Sequence, residues 1–227
     1  MDQMPSKRIS IQVSLSGYSF KIEQGDSVRK SAWLSSDKMF TTPEFQLRYD
    51  YVDISLFTPK CALIPSNFFS PESARDLISR SVVLNETDQV CNVDVPQFGA
   101  VLIYSNSIGE SLSRAISDTI LTTAGNKSEV FPELYYILGA LPQCRDYNKI
   151  LASFCDGYLY LAIAQGKSLL LCNSFKAADF TTAEYFLFMA MKKLQLNPEV
   201  STICFRTPLG ADEEMSLYRY FNSVEQF

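Results

Sequence analysis

Residues 149–175 read KILASFCDGYLYLAIAQGKSLLLCNSF, three strand-length segments separated by Asp156-Gly157 and Gln165-Gly166. Such pairs supply the left-handed backbone that two-residue hairpin turns need, so segments 149–155, 158–164 and 168–175 are expected to form a three-stranded antiparallel meander. The middle segment is apolar along almost its whole length, which suits a strand in a core. A helix covered on both faces is expected from the sequence that follows. Thr181-Thr-Ala-Glu184 has capping-box spacing and opens a helix expected over 183–194, whose run 185–191 is apolar on every side.

The first half of the chain reads the same way. Ile9, Ile11, Val13 and Leu15 alternate with polar residues, Ser16-Gly17 turns the chain into a strand at 18–23, and a third strand is expected at 28–34. Further strands are expected at 51–57, 61–64, 90–95 and 100–104, with a short helix after Ser70-Pro71 that turns Ala74, Leu77 and Ile78 inward. Ser107 and Glu110 have capping-box spacing ahead of a helix with Ile108, Leu112, Ile116 and Ile120 on one face. A helix at 131–141 ends at Pro142. A strand at 200–205 and a helix opened by Asp212-Glu213-Glu214, carrying Met215, Tyr218, Phe221 and Val224, complete the pattern. The expected class is α/β with two lobes, 1–142 and 143–227. Each holds a mixed sheet begun by a meander, and Ile11, Val13, Leu159, Leu161 and Leu170 lie in the cores.

The chain of 227 residues has no histidine. Ser-His-Asp and Cys-His nucleophile activation and histidine-bearing metal sites are therefore excluded within it. Neither GxxxxGK[ST] nor GxGxxG occurs, which disfavours two common phosphate-binding folds. Cys61, Cys91, Cys144, Cys155, Cys172 and Cys204 include no CxxC pair and are expected to be reduced. Cys155, Cys172 and Cys204 are expected to be largely inaccessible. A net charge of −5 with scattered basic residues argues against nucleic acid as a partner, and no segment has the length or apolarity of a membrane span. An N-terminus without an apolar signal core points to the cytoplasm. Asp50 and Asp53 are read as solvated charges at a sheet edge.

The start RISIQVSLSGYSFKI, the segment CDGYLYLAIAQGKSLLLCNSF with AEYFLFMAMKKLQL after it, and the closing SLYRYF give the chain its likeness to a known group. It resembles a bacterial domain-of-unknown-function family, family 3822, with an actin-like ATPase (ribonuclease H-like) fold. The resemblance implies a carboxylate at the first turn of each meander to handle magnesium, and small residues that let backbone amides approach ATP. Here Ser14 and Ser16 stand at those places in the first meander. Ser153 and Cys155 stand there in the second, with Asp156 one step further on. Any surviving nucleotide contact is expected at Ser14, Ser16, Gly17, Asp156, Gly157 and Gly210, Arg206 being either a phosphate contact or a solvated strand-end charge. The implied function is that of a degenerate, non-catalytic protein-binding scaffold with its inter-lobe cleft reduced or filled. Its partner is another bacterial protein or a second copy of itself. The alternatives are an ATPase or kinase-like enzyme using Asp156, Asp179 or Glu184, and a structural subunit of membrane machinery.

Overall fold

The computed structural model describes residues 6–107 and 110–227. Ile108, expected on the face of a helix, lies outside them. In chain order the elements are β1 (Lys7–Ser14), β2 (Gly17–Gln24), β3 (Ser27–Lys30), β4 (Tyr51–Leu56), β5 (Cys61–Pro65), α1 (Ala74–Ser79), β6 (Val90–Val95) and β7 (Ala100–Ser105). They continue as α2 (Glu110–Thr119), β8 (Val130–Pro132), α3 (Glu133–Ala140), β9 (Asn148–Cys155), β10 (Tyr158–Gln165), β11 (Ser168–Lys176), α4 (Phe180–Lys193), β12 (Thr202–Phe205), α5 (Ala211–Tyr218) and β13 (Ser223–Gln226).

Two of the sheets are five-stranded, in the orders β3-β2-β1-β4-β8 and β11-β10-β9-β12-β13, and the third is three-stranded, β5-β7-β6. The five-stranded sheets are two copies of one plan. In each an antiparallel meander runs outward from its first strand, and two further strands join that first strand's other side in parallel. Parallel neighbours need a crossover, and the intervening segments contain α2 in one sheet and α4 and α5 in the other.

Contacts divide the chain into two compact units that interleave along the sequence, residues 1–58 with 106–132, and residues 59–105 with 133–227. The first holds the β1 sheet. Its core includes Ile9, Ile11, Val13, Tyr18, Phe45, Tyr49, Ile54, Ile116 and Ile120. The second holds the β9 sheet, whose core of Ile150, Leu159, Leu161, Leu187, Ile203 and Phe205 is closed by α4 and by Leu217 of α5. It also contains the β5-β7-β6 sheet, against which Ala74 and Ile78 of α1 pack. The boundary expected between residues 142 and 143 falls inside a 3-10 turn, Leu141–Gln143.

Several expectations are corrected by non-local packing. Leu170, expected in a core, is 37 % exposed. The β10–β11 register passes from Ile163↔Leu171 to Ala164↔Leu169, which leaves Leu170 as the extra residue of a β-bulge. Helix α4 begins earlier than the Thr181 box. Asp179 caps it, its Oδ1 accepting from the Thr182 amide at 2.7 Å. The inward residues of the last helical segment are Leu217 and Phe221, while Met215 and Tyr218 are exposed. Val224 belongs to β13, which pairs in parallel with β12. Asp50 and Asp53 stand toward the start of β4, before the stretch Ile54–Leu56 that pairs with β8; Asp50 is exposed and Asp53 partly so, and both are engaged. The Asp50 carboxylate accepts from the Lys7 amide at 2.8 Å, and Asp53 pairs with Arg8 at 3.3 Å. Cys155 and Cys204 are buried free thiols, but Cys172, on edge strand β11, is partly exposed.

Candidate functional site

The parallel pairings make the two copies comparable residue by residue. In the first, Val13 pairs with Leu56 and its carbonyl accepts from the Phe57 amide at 2.8 Å. In the second, Ala152 pairs with Phe205 and its carbonyl accepts from the Arg206 amide at 2.9 Å. Ser14 therefore corresponds to Ser153, Phe57 to Arg206, and Thr58 to Thr207. Both serines and both threonines are buried. These positions stand at or just beyond the carboxyl ends of the parallel strands, where open α/β sheets place their ligands. Asp50 and Asp53, at the opposite ends of the same strands, lie away from them.

The first turn is filled by its own side chains. Ser14 ends β1, its hydroxyl accepts from the Ser16 amide at 3.1 Å, and the two hydroxyls lie 2.9 Å apart. Trp33 Nε1 donates to Ser16 Oγ at 3.2 Å, and the indole packs 6.2 Å from the Phe57 ring. Gly17 has φ +147°, and a Cβ there would sit 2.0 Å from the Leu34 carbonyl oxygen. The glycine thus lets the chain pass close to Leu34, whose backbone exchanges two hydrogen bonds with Tyr18. That packing brings Ser14, Ser16 and Gly17 together.

The second hairpin is longer by two residues in each strand, so Ser153 lies inside β9 and its turn follows Cys155. Asp156 (φ 48°) and Gly157 (φ 74°) are both left-handed, the backbone of a two-residue hairpin turn, and Asp156 is exposed. The Gly157 carbonyl accepts from the Ala177 amide at 2.8 Å. Gly210 stands apart as the N-cap of α5, with its amide donating to Glu213 Oε2 at 2.7 Å.

Beneath the second turn is a cluster that was not anticipated. Glu133, the first residue of α3, is fully buried. Ser153 Oγ donates to its Oε1 at 2.6 Å, and Arg206 Nε donates to the same oxygen at 2.9 Å. The Arg206 side chain is only 16 % exposed, and its guanidinium lies over the Tyr136 ring at 5.4 Å. Arg206 is thus held in an internal ion pair rather than left as a solvated strand-end charge. Tyr160 faces Ser153 across the β9–β10 ladder. Burial first, and then the nearby Cys61, Cys155 and Glu133, push its phenol well above the ordinary range, so it stays neutral. The Phe154 amide donates to Thr207 Oγ1 at 3.0 Å and ties the strand end to β12. The only sequence signal for this cluster is that Glu133 is the one charged residue in the otherwise apolar segment VFPELYYILGAL.

Of the acids named for an enzymatic alternative, Asp179 is spent on the α4 cap, and the hydrogen bonds from Thr182 hold its carboxyl below the usual range. Glu184 lies on α4 with Oε1 buried and without a hydrogen-bond partner. Among the described residues no group of three or more cysteine, aspartate or glutamate side chains is placed to hold a metal ion. No helix among them is long and apolar enough to cross a membrane.

The model of a family described as "Protein of unknown function (DUF3822)" matches residues 1–224. The chain belongs to that family. No curated protein matches this DUF3822 chain. Among solved structures it is similar to a Bacteroides thetaiotaomicron protein described as having an actin-like ATPase fold and unknown function. The TM-score is 0.71 at 18 % identity, over 99 % of this chain and 91 % of that one. It is also similar to a chain of the PilM–PilN type IV pilus biogenesis complex, with a TM-score of 0.53 at 11 % identity, over 97 % of this chain and 88 % of that one. At these identities the likeness establishes the fold, a two-lobed actin-like ATPase fold with mixed sheets.

Proposed function

We propose that this DUF3822 chain is a non-catalytic actin-like protein that acts by binding another bacterial protein in the cytoplasm, and that the duplicated halves meet near residue 142. The observation that carries the reading is the salt bridge between Arg206 and buried Glu133. Phosphoryl transfer needs a metal ion and uncompensated donors to offset the charge of a triphosphate. Arg206 at the second strand end is already paired with Glu133, and the two positions where the fold's carboxylates are expected hold buried serine hydroxyls, which are poor magnesium ligands. A fold kept intact with serines at those two positions suits a protein that presents a surface. The PilM–PilN complex gives a fold relative with a protein partner.

The alternative, an ATP- and magnesium-dependent ATPase or kinase-like enzyme, rests on Asp156 at the exposed tip of the second turn, with Ser14, Ser16, Gly17, Gly157 and Gly210 as nucleotide contacts. Phosphate release from ATP by purified protein separates the two. The scaffold reading expects none above the protein-free rate, with or without magnesium. Magnesium-dependent turnover lost in Asp156→Ala contradicts it.

A further inference from the structure

Away from the cluster described above, a pocket of about 220 Å³ opens between the segment leading into β9 and strand β12. Cys144 and Cys204 both line it, with Arg145, Asp146, Thr202 and Glu225. Their apposition follows from the backbone. Thr202 and Cys204 are two apart on β12 and so share a face, opposite to that of the core residues Ile203 and Phe205. The Thr202 amide donates to Asp146 Oδ2 at 3.0 Å, which fixes the preceding segment against the strand, and Cys144, two residues before Asp146, falls against Cys204. Lys149 donates to the Cys144 carbonyl and, at 3.1 Å, to that of Pro142, which places a cation beside the first thiol. Cys144 is 5 % exposed and Cys204 2 %, and both line this pocket.

We propose that Cys144 and Cys204 form a thiol-disulfide exchange site that a low-molecular-weight disulfide oxidises, with Cys144 as the attacking sulfur and Cys204 as the resolving one. The Cys144 thiolate attacks one sulfur of RSSR, so that a Cys144–SR bond forms, the RS–SR bond breaks and one RS⁻ leaves. Cys204 then loses its proton and attacks the Cys144 sulfur, releasing the second RS⁻ and leaving a Cys144–Cys204 bond. Two protein thiols are oxidised by two electrons, and one RSSR is reduced to two RSH. The order of attack follows from the surroundings. The hydrogen bond from Cys204, with Lys149 adding to it, holds Cys144 below the ordinary thiol range against the opposing effects of burial and Glu225. Cys204 is pushed well up by the same hydrogen bond, by burial and by the neighbouring acids. Once Cys144 carries the mixed disulfide its charge is gone, and Cys204 ionises more readily. The bond ties the segment after α3 to β12 and closes a long loop, which constrains the unfolded chain.

The test incubates the full-length protein with oxidised glutathione, blocks remaining thiols and maps non-reduced peptides by mass spectrometry. The expected products are a Cys144–Cys204 cross-link in the wild type, a glutathione adduct on Cys144 in Cys204→Ser, and no adduct on Cys204 in Cys144→Ser. Both variants should keep the melting temperature of the reduced wild type to within a few degrees, and the oxidised wild type should melt about 5 °C higher. Two unmodified thiols after exposure, or a cross-link spread over Cys61, Cys91, Cys155 and Cys172, would overturn the assignment. An adduct that forms first on Cys204 would overturn the order of attack.

Discussion

Ser14 and Ser153 occupy one position in two copies of the same strand order, yet they meet different neighbours. Ser14 faces a turn filled by Ser16 and Trp33, and Ser153 donates to the buried carboxylate of Glu133 at 2.6 Å. The difference extends to the next strand, where Phe57 in one copy corresponds to Arg206 in the other. The first copy manages its strand end with apolar and hydroxyl packing, the second with an internal ion pair.

The ion pair should be costly to break from one side. Arg206→Ala strands a fully buried carboxylate and is expected to destabilise the fold by about 3–5 kcal/mol. Glu133→Gln should cost less, about 1–2 kcal/mol, because it keeps an acceptor for Ser153 and leaves Arg206 near enough to the surface to be hydrated. In a double-mutant cycle read by urea unfolding, the combined variant should lose less than the sum by at least about 1 kcal/mol. Strict additivity would show that the two side chains act independently.

Asp88 gives the fold an acid-sensitive contact. The hydrogen bond from Lys60 holds its carboxyl below the usual range against the cost of burial, with help from the Asn85 amide at 2.7 Å and the Ser105 hydroxyl at 3.3 Å. A depressed folded-state pKa contributes stability that is complete above the unfolded value, about 3.9, and is lost as pH falls through the folded value. The stability gap between wild type and Asp88→Asn should therefore be widest above about pH 5 and close as the solution is acidified below about pH 4. A gap that stays constant from neutral to acid pH would place the effect in packing instead.

At Gly17 the constraint is steric. An alanine there meets the Leu34 carbonyl at 2.0 Å in a backbone conformation that favours glycine, and two hydrogen bonds to Tyr18 keep Leu34 from moving away. Gly17→Ala is expected to destabilise by more than about 2 kcal/mol. Gly99→Ala, at φ +58° with open space around the added carbon, should cost about 1 kcal/mol. Chemical denaturation of the two variants side by side checks the ranking.

The meanders were legible because their information is local. Asp156-Gly157 carries the left-handed pair that closes the hairpin, and alternation at Ile9, Ile11 and Val13 sets the buried face. What escaped the sequence depends on distant partners. Leu170 looks like its apolar neighbours until β10 sets the register and makes it a bulge. β8 and β13, of three and four residues, exist because β4 and β12 offer an open edge beside them. Strands β5, β6 and β7 were visible as strands, but nothing in their composition says that they leave the first sheet for one of their own. The glycines and serines of the candidate site were visible through the fold resemblance. Glu133 was not, because a lone acid at a helix start reads as an exposed dipole partner, and only the tertiary structure buries it against Arg206.

Nucleotide uptake at the first turn is what most directly separates a non-catalytic chain from an ATPase. Trp33 is the only tryptophan and rests on Ser16 and Phe57, so its fluorescence reports on that turn. Magnesium and ATP, titrated into the full-length protein to millimolar concentration, are expected to give no saturable change in this emission and a melting shift below about 1 °C. A ligand at about a hundredfold its Kd adds roughly 2.7 kcal/mol, a shift of several degrees in a chain of this size. A saturable, magnesium-dependent change with a shift of that size, both lost in Asp156→Ala, would contradict the non-catalytic reading and assign the site to nucleotide.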